Sequence, residues 1–436
     1  MVPIAPELLA QLRAALGRGD DIAALATADA ILAIDPGHEA TRAWLSARAR
    51  QRGEFDDAIA QAESGLAVRP ESDVLRFHLG AAQLAAGDPE AANATLATIA
   101  PGAPMHALAG FWRGSLHAQR GARAASLHAR AQALAEAERL GLLAPGARLP
   151  AEARPHVDAA IAMLRDARAE VLDEALAPFV LSADEAARVR AAFARHLGQS
   201  PPSPAHALQQ PAFLFIPGLD DRPWWPRDAF PFLADIEAQT DVIRAEMLAV
   251  LSEDAAGFAP YLDMADDAPA APMWGTLNRS PSWTGYHFFR HGERIEAHCR
   301  RCPRTAAALE ALPLLRIPGH APEALFSVLR PGTHIPPHTG VINGRLTVHL
   351  PLVVPEDCGA LAVAREARTW HEGTCLVFDD SFVHEAINRS AHTRVVLIFD
   401  LWHPGLPSAT RDALAAAIAA YGAFNQSLGL DDPMQE

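Results

Sequence analysis

The sequence predicts a two-part fold, a stack of helical hairpins followed by an all-β barrel or jelly roll. Three observations predict it: a 34-residue period through the first 130 residues, a proline-rich break between Gly198 and Pro211, and a series of short β-rich runs beyond the break. At 436 residues the chain is long enough for two or three domains, and half of it is hydrophobic, enough for packed cores.

The period can be checked by subtraction. Glycines stand at Gly19, Gly53, Gly87 and Gly121, prolines at Pro36, Pro70 and Pro104, and alanines at Ala24, Ala58 and Ala92. Helix formers fill the intervals, so each unit is two antiparallel helices with a small residue where they cross. This pattern resembles tetratricopeptide repeats, although most of the aromatic positions of that consensus are Ala or Leu here. About three repeats are expected within 1–135. The resemblance implies a concave surface for a protein partner, with a helical spacer or a dimerisation module as the equally weighted alternative.

Residues 136–200 stay rich in Ala, Arg, Leu and Glu at helical spacing, as in VDAAIAMLRDARAEVLDEAL, and are expected to be a helical connector. The segment 201–211 is expected to be a linker and hinge. Residues 212–405 then supply the runs FLFIP, YHFFR, ALFSVLR, RLTVHLPLVV, CLVFDD and RVVLIFDLW, and 406–436 a C-terminal helix and tail.

Composition narrows the function. The net charge is −15, and all 37 cations of the Lys+Arg count are arginines, so chemistry through a lysine Schiff base is excluded. No basic run points to nucleic acid or an anionic membrane. The absence of a signal-like or membrane-spanning apolar stretch gives a cytoplasmic expectation without a membrane anchor. Cys299, Cys302, Cys358 and Cys375 read as reduced structural thiols, with redox or zinc chemistry at Cys299-x-x-Cys302 as the lesser alternative.

The chemistry-bearing residues lie in two strands. In RLTVHL, Arg345, Thr347 and His349 share one face and Leu346, Val348 and Leu350 the other; in RVVLIFD, Arg394, Val396, Ile398 and Asp400 oppose Val395, Leu397 and Phe399. Arginines facing a small cavity need anions. His338 precedes the first strand and His384 the second, and two imidazoles at barrel strand ends can hold a divalent metal. Pro336 and Pro337 between His334 and His338 exclude a helical zinc motif.

From about Phe213 to Pro404 the sequence resembles the aspartyl/asparaginyl β-hydroxylase family of 2-oxoglutarate-dependent, non-haem iron oxygenases. The segments that carry this are IPGLDDRPWW, SWTGYHFF, ALFSVLRPGTHIPPHTGVINGRLTVHLPLVVP and TWHEGTCLVFDDSFVHEAINRSAHTRVVLIFDLWHP. The resemblance implies a double-stranded β-helix, Fe(II) on His338 and His384, and 2-oxoglutarate contacts at Trp283, Ser327, Arg345, His349 and Arg394. It also implies a site without a carboxylate ligand, since Gly340 stands where His-x-Asp sites carry the acid. Arg394 with Ser327 suits the far carboxylate of 2-oxoglutarate, and Arg345 with His349 the near one. Asp380 is the candidate to orient water at the metal, with turn capping as the plain alternative for Asp379 and Asp380. O2 completes the reaction, with succinate and CO2 as co-products. The implied substrate is an Asp or Asn side chain of a peptide or protein; the alternatives are a metabolite or lipid acyl chain, or an adaptor with an inactive barrel.

Overall fold

The computed structural model describes residues 4–147, 149–150, 152–201, 203–265 and 271–434, and its chain divides into two compact units, Met1–Asp166 with Ser427–Leu430, and Ala167–Gln426 with Asp431–Glu436. The described residues of the first unit are helical. Four hairpins follow one another: α1 (Pro6–Arg18) with α2 (Asp21–Ile34), α3 (Glu39–Gln51) with α4 (Phe55–Val68), α5 (Asp73–Ala85) with α6 (Pro89–Leu96), and α7 (Pro104–Gln119) with α8 (Arg123–Arg139).

The 34-residue series has a physical reason at each position. Gly19, Gly53, Gly87 and Gly121 each take positive φ, from 68° to 85°, where the first helix of a hairpin stops and a Cβ would be strained. Ala24, Ala58 and Ala92 are fully buried where the second helix crosses the first, and Ser126 continues the series in the fourth hairpin, its hydroxyl donating to the Gly114 carbonyl. That fourth hairpin exceeds the expected three because Ser substitutes for Ala at the same crossing. Pro104 departs from Pro36 and Pro70 by opening α7 instead of following a finished helix.

Among its described residues the second unit contains α10 (Ala183–Ala192) and twelve strands: β1 (Trp224–Trp225), β2 (Ala259–Pro260), β3 (Trp283–Arg290), β4 (Glu293–Arg294), β5 (Ala324–Leu329), β6 (His334–His338), β7 (Arg345–Val353), β8 (Leu361–Val363), β9 (Glu366–Arg368), β10 (Leu376–Phe378), β11 (His384–Ile387) and β12 (Arg394–Trp402). An eight-stranded antiparallel sheet runs β1-β10-β7-β12-β5-β3-β2 with β4 beside β3, and a four-stranded sheet runs β6-β11-β8-β9. These two sheets form the double-stranded β-helix. Leu346, Val348, Leu350, Val395, Leu397 and Phe399 pack into one core against the helix Thr240–Glu253, as the alternation requires.

Two expectations about organisation change. Helix α9 (Arg154–Leu176) starts in the first unit and ends in the second, so the division falls at Asp166 and not at the proline-rich stretch. Leu172, Leu176, Val189, Phe193 and Leu197 of the expected connector pack with Phe213, Ile216, Trp402 and Tyr421 of the β unit. The expected hinge 201–211 is pinned at its end: Gln209 is 2 % exposed, its amide donates to Asp379 (3.0 Å), the Gln210 backbone N–H donates to Ser381 O (2.7 Å), and Val383 N–H donates to Leu208 O (2.8 Å). Backbone pairing of this kind makes the stretch part of the β unit.

Among the described residues no helix is long and apolar enough to cross a membrane. The four cysteines are buried and free. Burial pushes the Cys302 thiol up to about 12, which makes it a poor nucleophile at neutral pH.

A fragment beginning at Ala167 should therefore fold, whereas one beginning at Ala212 should be insoluble, because it uncovers the apolar faces that α9, α10 and Phe193 bury. Near-ultraviolet circular dichroism and soluble yield of the two fragments decide; equal behaviour would return the boundary to the proline-rich segment.

Candidate active site

A cavity of about 590 Å³ lies between the two sheets, and His338, Arg345, His349, Asp380, His384 and Arg394 all line it. Ser327, Thr347, Ile398 and Asp400 line it too, so the charged faces of β7 and β12 both look inward. The register explains this: β7 and β12 are direct neighbours, with His349 opposite Ile398 and Thr347 opposite Asp400.

His338 and His384 belong to short strands of the other sheet, where they are register partners across β6 and β11. Their ring centroids stand 4.1 Å apart. Each Nδ1 lies against a backbone carbonyl two residues upstream, Pro336 O at 2.8 Å and Phe382 O at 2.9 Å. A carbonyl only accepts, so both Nδ1 atoms carry the hydrogen and both Nε2 atoms keep a lone pair. Burial holds both imidazoles below their ordinary pKa, His384 far below with His338 beside it as the second cause. Two neutral rings with free Nε2 lone pairs side by side are the donor set of a divalent transition metal. Among the described residues no group of three or more His, Cys, Asp or Glu side chains could hold a metal ion, which leaves this pair of rings as the candidate ligands.

Gly340 has a steric origin. A Cβ there would collide with the carboxylate of Asp380, and the Gly340 N–H donates to Asp380 O at 2.7 Å. The carboxylate missing from the His-x-Asp position is thus replaced in space by that of Asp380, whose Oδ2 pairs with Arg345 Nη2 at 2.5 Å. Among the described residues Asp380 Oδ1 is buried without a hydrogen-bond partner, and Asp380 lines the cavity. Asp379 does the capping instead, accepting from Ser381 N–H (2.9 Å) and Gln209. Glu385 points away from the cavity and meets His334 at 2.6 Å.

His349 changes the expected charge balance. Trp370 Nε1 donates to its Nδ1 (3.3 Å), so the neutral ring carries its hydrogen on Nε2. Burial, with the Arg394 charge nearby, depresses its pKa to about 3. His349 is therefore a neutral donor and not half of a cationic pair, and the charge of Arg345 is already matched by Asp380.

Arg394 is the opposite case. It is 1 % exposed, its guanidinium lies over the Trp370 ring (4.8 Å to the centroid), and among the described residues its Nε and Nη1 have no hydrogen-bond partner. A buried, unpaired guanidinium costs several kcal/mol, and burial lowers even its pKa to about 10. Ser327, expected beside it, receives the Trp283 indole N–H at 3.2 Å, and Trp283 stacks on Tyr261 (3.9 Å, 7°). Trp370 touches both Arg394 and His349 and was not singled out by sequence; a lone Trp outside any spacing pattern carries no signal of its partners.

The tail completes the wall. Asp432 is buried beside His320 (3.6 Å), and this places Pro433 on the cavity.

Two outcomes test this geometry. Gly340→Asp, which restores a triad in sequence, should displace Asp380, cost about 1–3 kcal/mol of stability and fail to strengthen Mn(II) binding; denaturant midpoints and calorimetry measure both. Burial raises the Asp400 carboxyl to about 7, so folding takes up a proton there, and stability should fall as pH rises from the ordinary carboxylate range to about 7. Asp400→Asn should flatten that decline in urea melts across pH; an unchanged slope would assign it to Asp379 alone, which is also raised to about 7.

Comparisons agree with this architecture. The aspartyl/asparaginyl β-hydroxylase family profile matches residues 237–404, and a tetratricopeptide repeat profile matches 49–110. The human aspartyl/asparaginyl beta-hydroxylase is 34% identical over 205 residues, 46% of this chain and 25% of the human one. Aspartate beta-hydroxylase domain-containing protein 2 of Xenopus tropicalis is 34% identical over 218 residues, 49% of this chain and 56% of that protein. The ornithine lipid ester-linked acyl 2-hydroxylase of Rhizobium tropici is 35% identical over 188 residues, 43% and 62%. The chain thus spans less than two thirds of the length of each of these relatives. Its β unit is thus similar to the aspartyl/asparaginyl β-hydroxylase family, and the same chain carries a region similar to tetratricopeptide repeats.

Proposed function

We propose that this chain is an Fe(II)- and 2-oxoglutarate-dependent dioxygenase that hydroxylates an Asp or Asn side chain of a peptide or protein. The observation that carries the proposal is Arg394, a sealed guanidinium that lines the same cavity as two metal-ready histidines and has no anion of its own. A dicarboxylate with one end at a metal and the other on Arg394 satisfies both.

His338 and His384 would hold the iron through Nε2. Held there with 2-oxoglutarate and O2, iron would supply the oxidising chemistry, with succinate and CO2 as co-products. The rest falls to the protein. Arg394 would pair with the far carboxylate, Trp370 lies against the face of that guanidinium, and Ser327 is held by Trp283. His349 presents Nε2–H as a neutral donor near the metal end. Asp380 holds Arg345 and leaves Oδ1 free to accept a hydrogen bond from water beside His338.

A lipid acyl chain is the second reading. It is favoured by the apolar wall of Tyr261, Leu262, Met264, Met273 and Trp274, and by the acyl 2-hydroxylase named for the Rhizobium tropici relative.

The experiment is 2-oxoglutarate turnover to succinate across cosubstrate concentration. Arg394→Ala strands a buried carboxylate at a cost of about 2–5 kcal/mol, so half-saturation should rise from about thirty-fold to several thousand-fold while the metal still binds. Arg394→Lys should recover part of this, and His384→Ala should lose the metal. Unchanged half-saturation in Arg394→Ala would show a different cosubstrate or a different arginine. Lysate peptides gaining 16 Da support the peptide substrate; a gain confined to lipids supports the second reading.

A further inference from the structure

The concave layer of the repeats is built from first helices: α3 packs on α5, and α5 on α7. In tetratricopeptide stacks this layer receives extended or helical peptides. Here it is covered by the chain itself. Glu152 forms an ion pair with Arg50 of α3. Four residues on, the His156 ring stacks on Trp112 of α7 at 4.1 Å and 25°, and its Nδ1 meets Ser115 Oγ at 2.7 Å. Ala153, Val157 and Ala160 are buried in one cluster with Phe77 of α5 and Trp112. Past them, Met163 sulfur lies 3.2 Å from Arg130 Nη1 of α8 and 3.5 Å from Ser126 Oγ.

One short segment, Glu152–Met163, therefore meets α3, α5, α7 and α8 with a charge, an aromatic stack, an aliphatic stripe and a thioether in sequence. Those are the contacts by which a groove recognises an amphipathic helical ligand through i, i+4 anchors. A capping helix needs only the last hairpin; the reach of Glu152 back to α3, two hairpins upstream, is what distinguishes a groove ligand from a cap.

We propose that the repeat groove is a docking site whose occupant is the chain's own segment Glu152–Met163. While that segment is seated, the groove takes no external peptide, so the repeats do not deliver a substrate or partner through their concave face.

The test uses the full chain and a fluorescein-labelled peptide of residues 152–166. The unaltered chain should show no saturable binding. Evicting the segment, by Glu152→Arg with His156→Ala or separately by Ala160→Arg, should open the groove and tighten binding at least about tenfold. Adding Arg50→Glu to the first variant should weaken the native peptide and favour one carrying Glu152→Arg, a charge swap that a merely structural helix would not show. Hydrogen exchange on the unaltered chain needs no variant: the amides of 157–163 should be protected like those of α7. Peptide binding by the unaltered chain as tight as by the variants, absence of binding by either variant, or exchange of 157–163 at the free-peptide rate would each overturn the proposal.

Discussion

The site depends on a period of two. Strands β7 and β12 lie side by side, and each spends every second residue on the hydrophobic core and the others on the cavity. Because the two are in register, Thr347 faces Asp400 and His349 faces Ile398, so the polar side chains of both strands reach one enclosed space. A slip of one residue on either strand would put Arg394 into the core and a Leu or Val into the cavity. The large core on the far face, with Leu346, Val348, Leu397 and Phe399 fully buried, is what makes that slip costly. Packing on one face thereby fixes chemistry on the other.

The electrostatics of the cavity then sort its charges by whether they are already matched. Arg345 and Asp380 cancel one another at 2.5 Å, the histidines are neutral by burial, and Arg394 stands without a partner for Nε and Nη1. Low dielectric makes this difference large. An incoming anion is drawn to the buried Arg394 guanidinium, which lines the cavity with Nε and Nη1 unpaired among the described residues and has Trp370 against its face.

How much of this the sequence shows follows from the range of each interaction. The hairpins are legible because Gly19, Gly53, Gly87 and Gly121 answer a local need for positive φ, and the strand faces because alternation is local. Membership of a core is not local: the same helical periodicity in α9 and α10 serves two units, and nothing in VDAAIAMLRDARAE tells which side of Asp166 packs where. The expected linker fails for the same reason, since Gln209 is fixed by Asp379, 170 residues away. His349 reads as a possible cation until Trp370 is placed on its Nδ1, and Gly340 reads as a lost ligand until Asp380 is seen to fill its side-chain space.

Pro433 gives the chain's last described residues a practical use. The wall it contributes is anchored by Asp432 against His320, and Gly422 has no room for a Cβ because that pair fills the space above it. A fluorophore or spin label attached at Met434 would consequently sit one residue from the cavity wall. It would sense filling and emptying of that space from outside, without a probe inside it, and so offers a continuous optical or magnetic readout of occupancy for any compound tried.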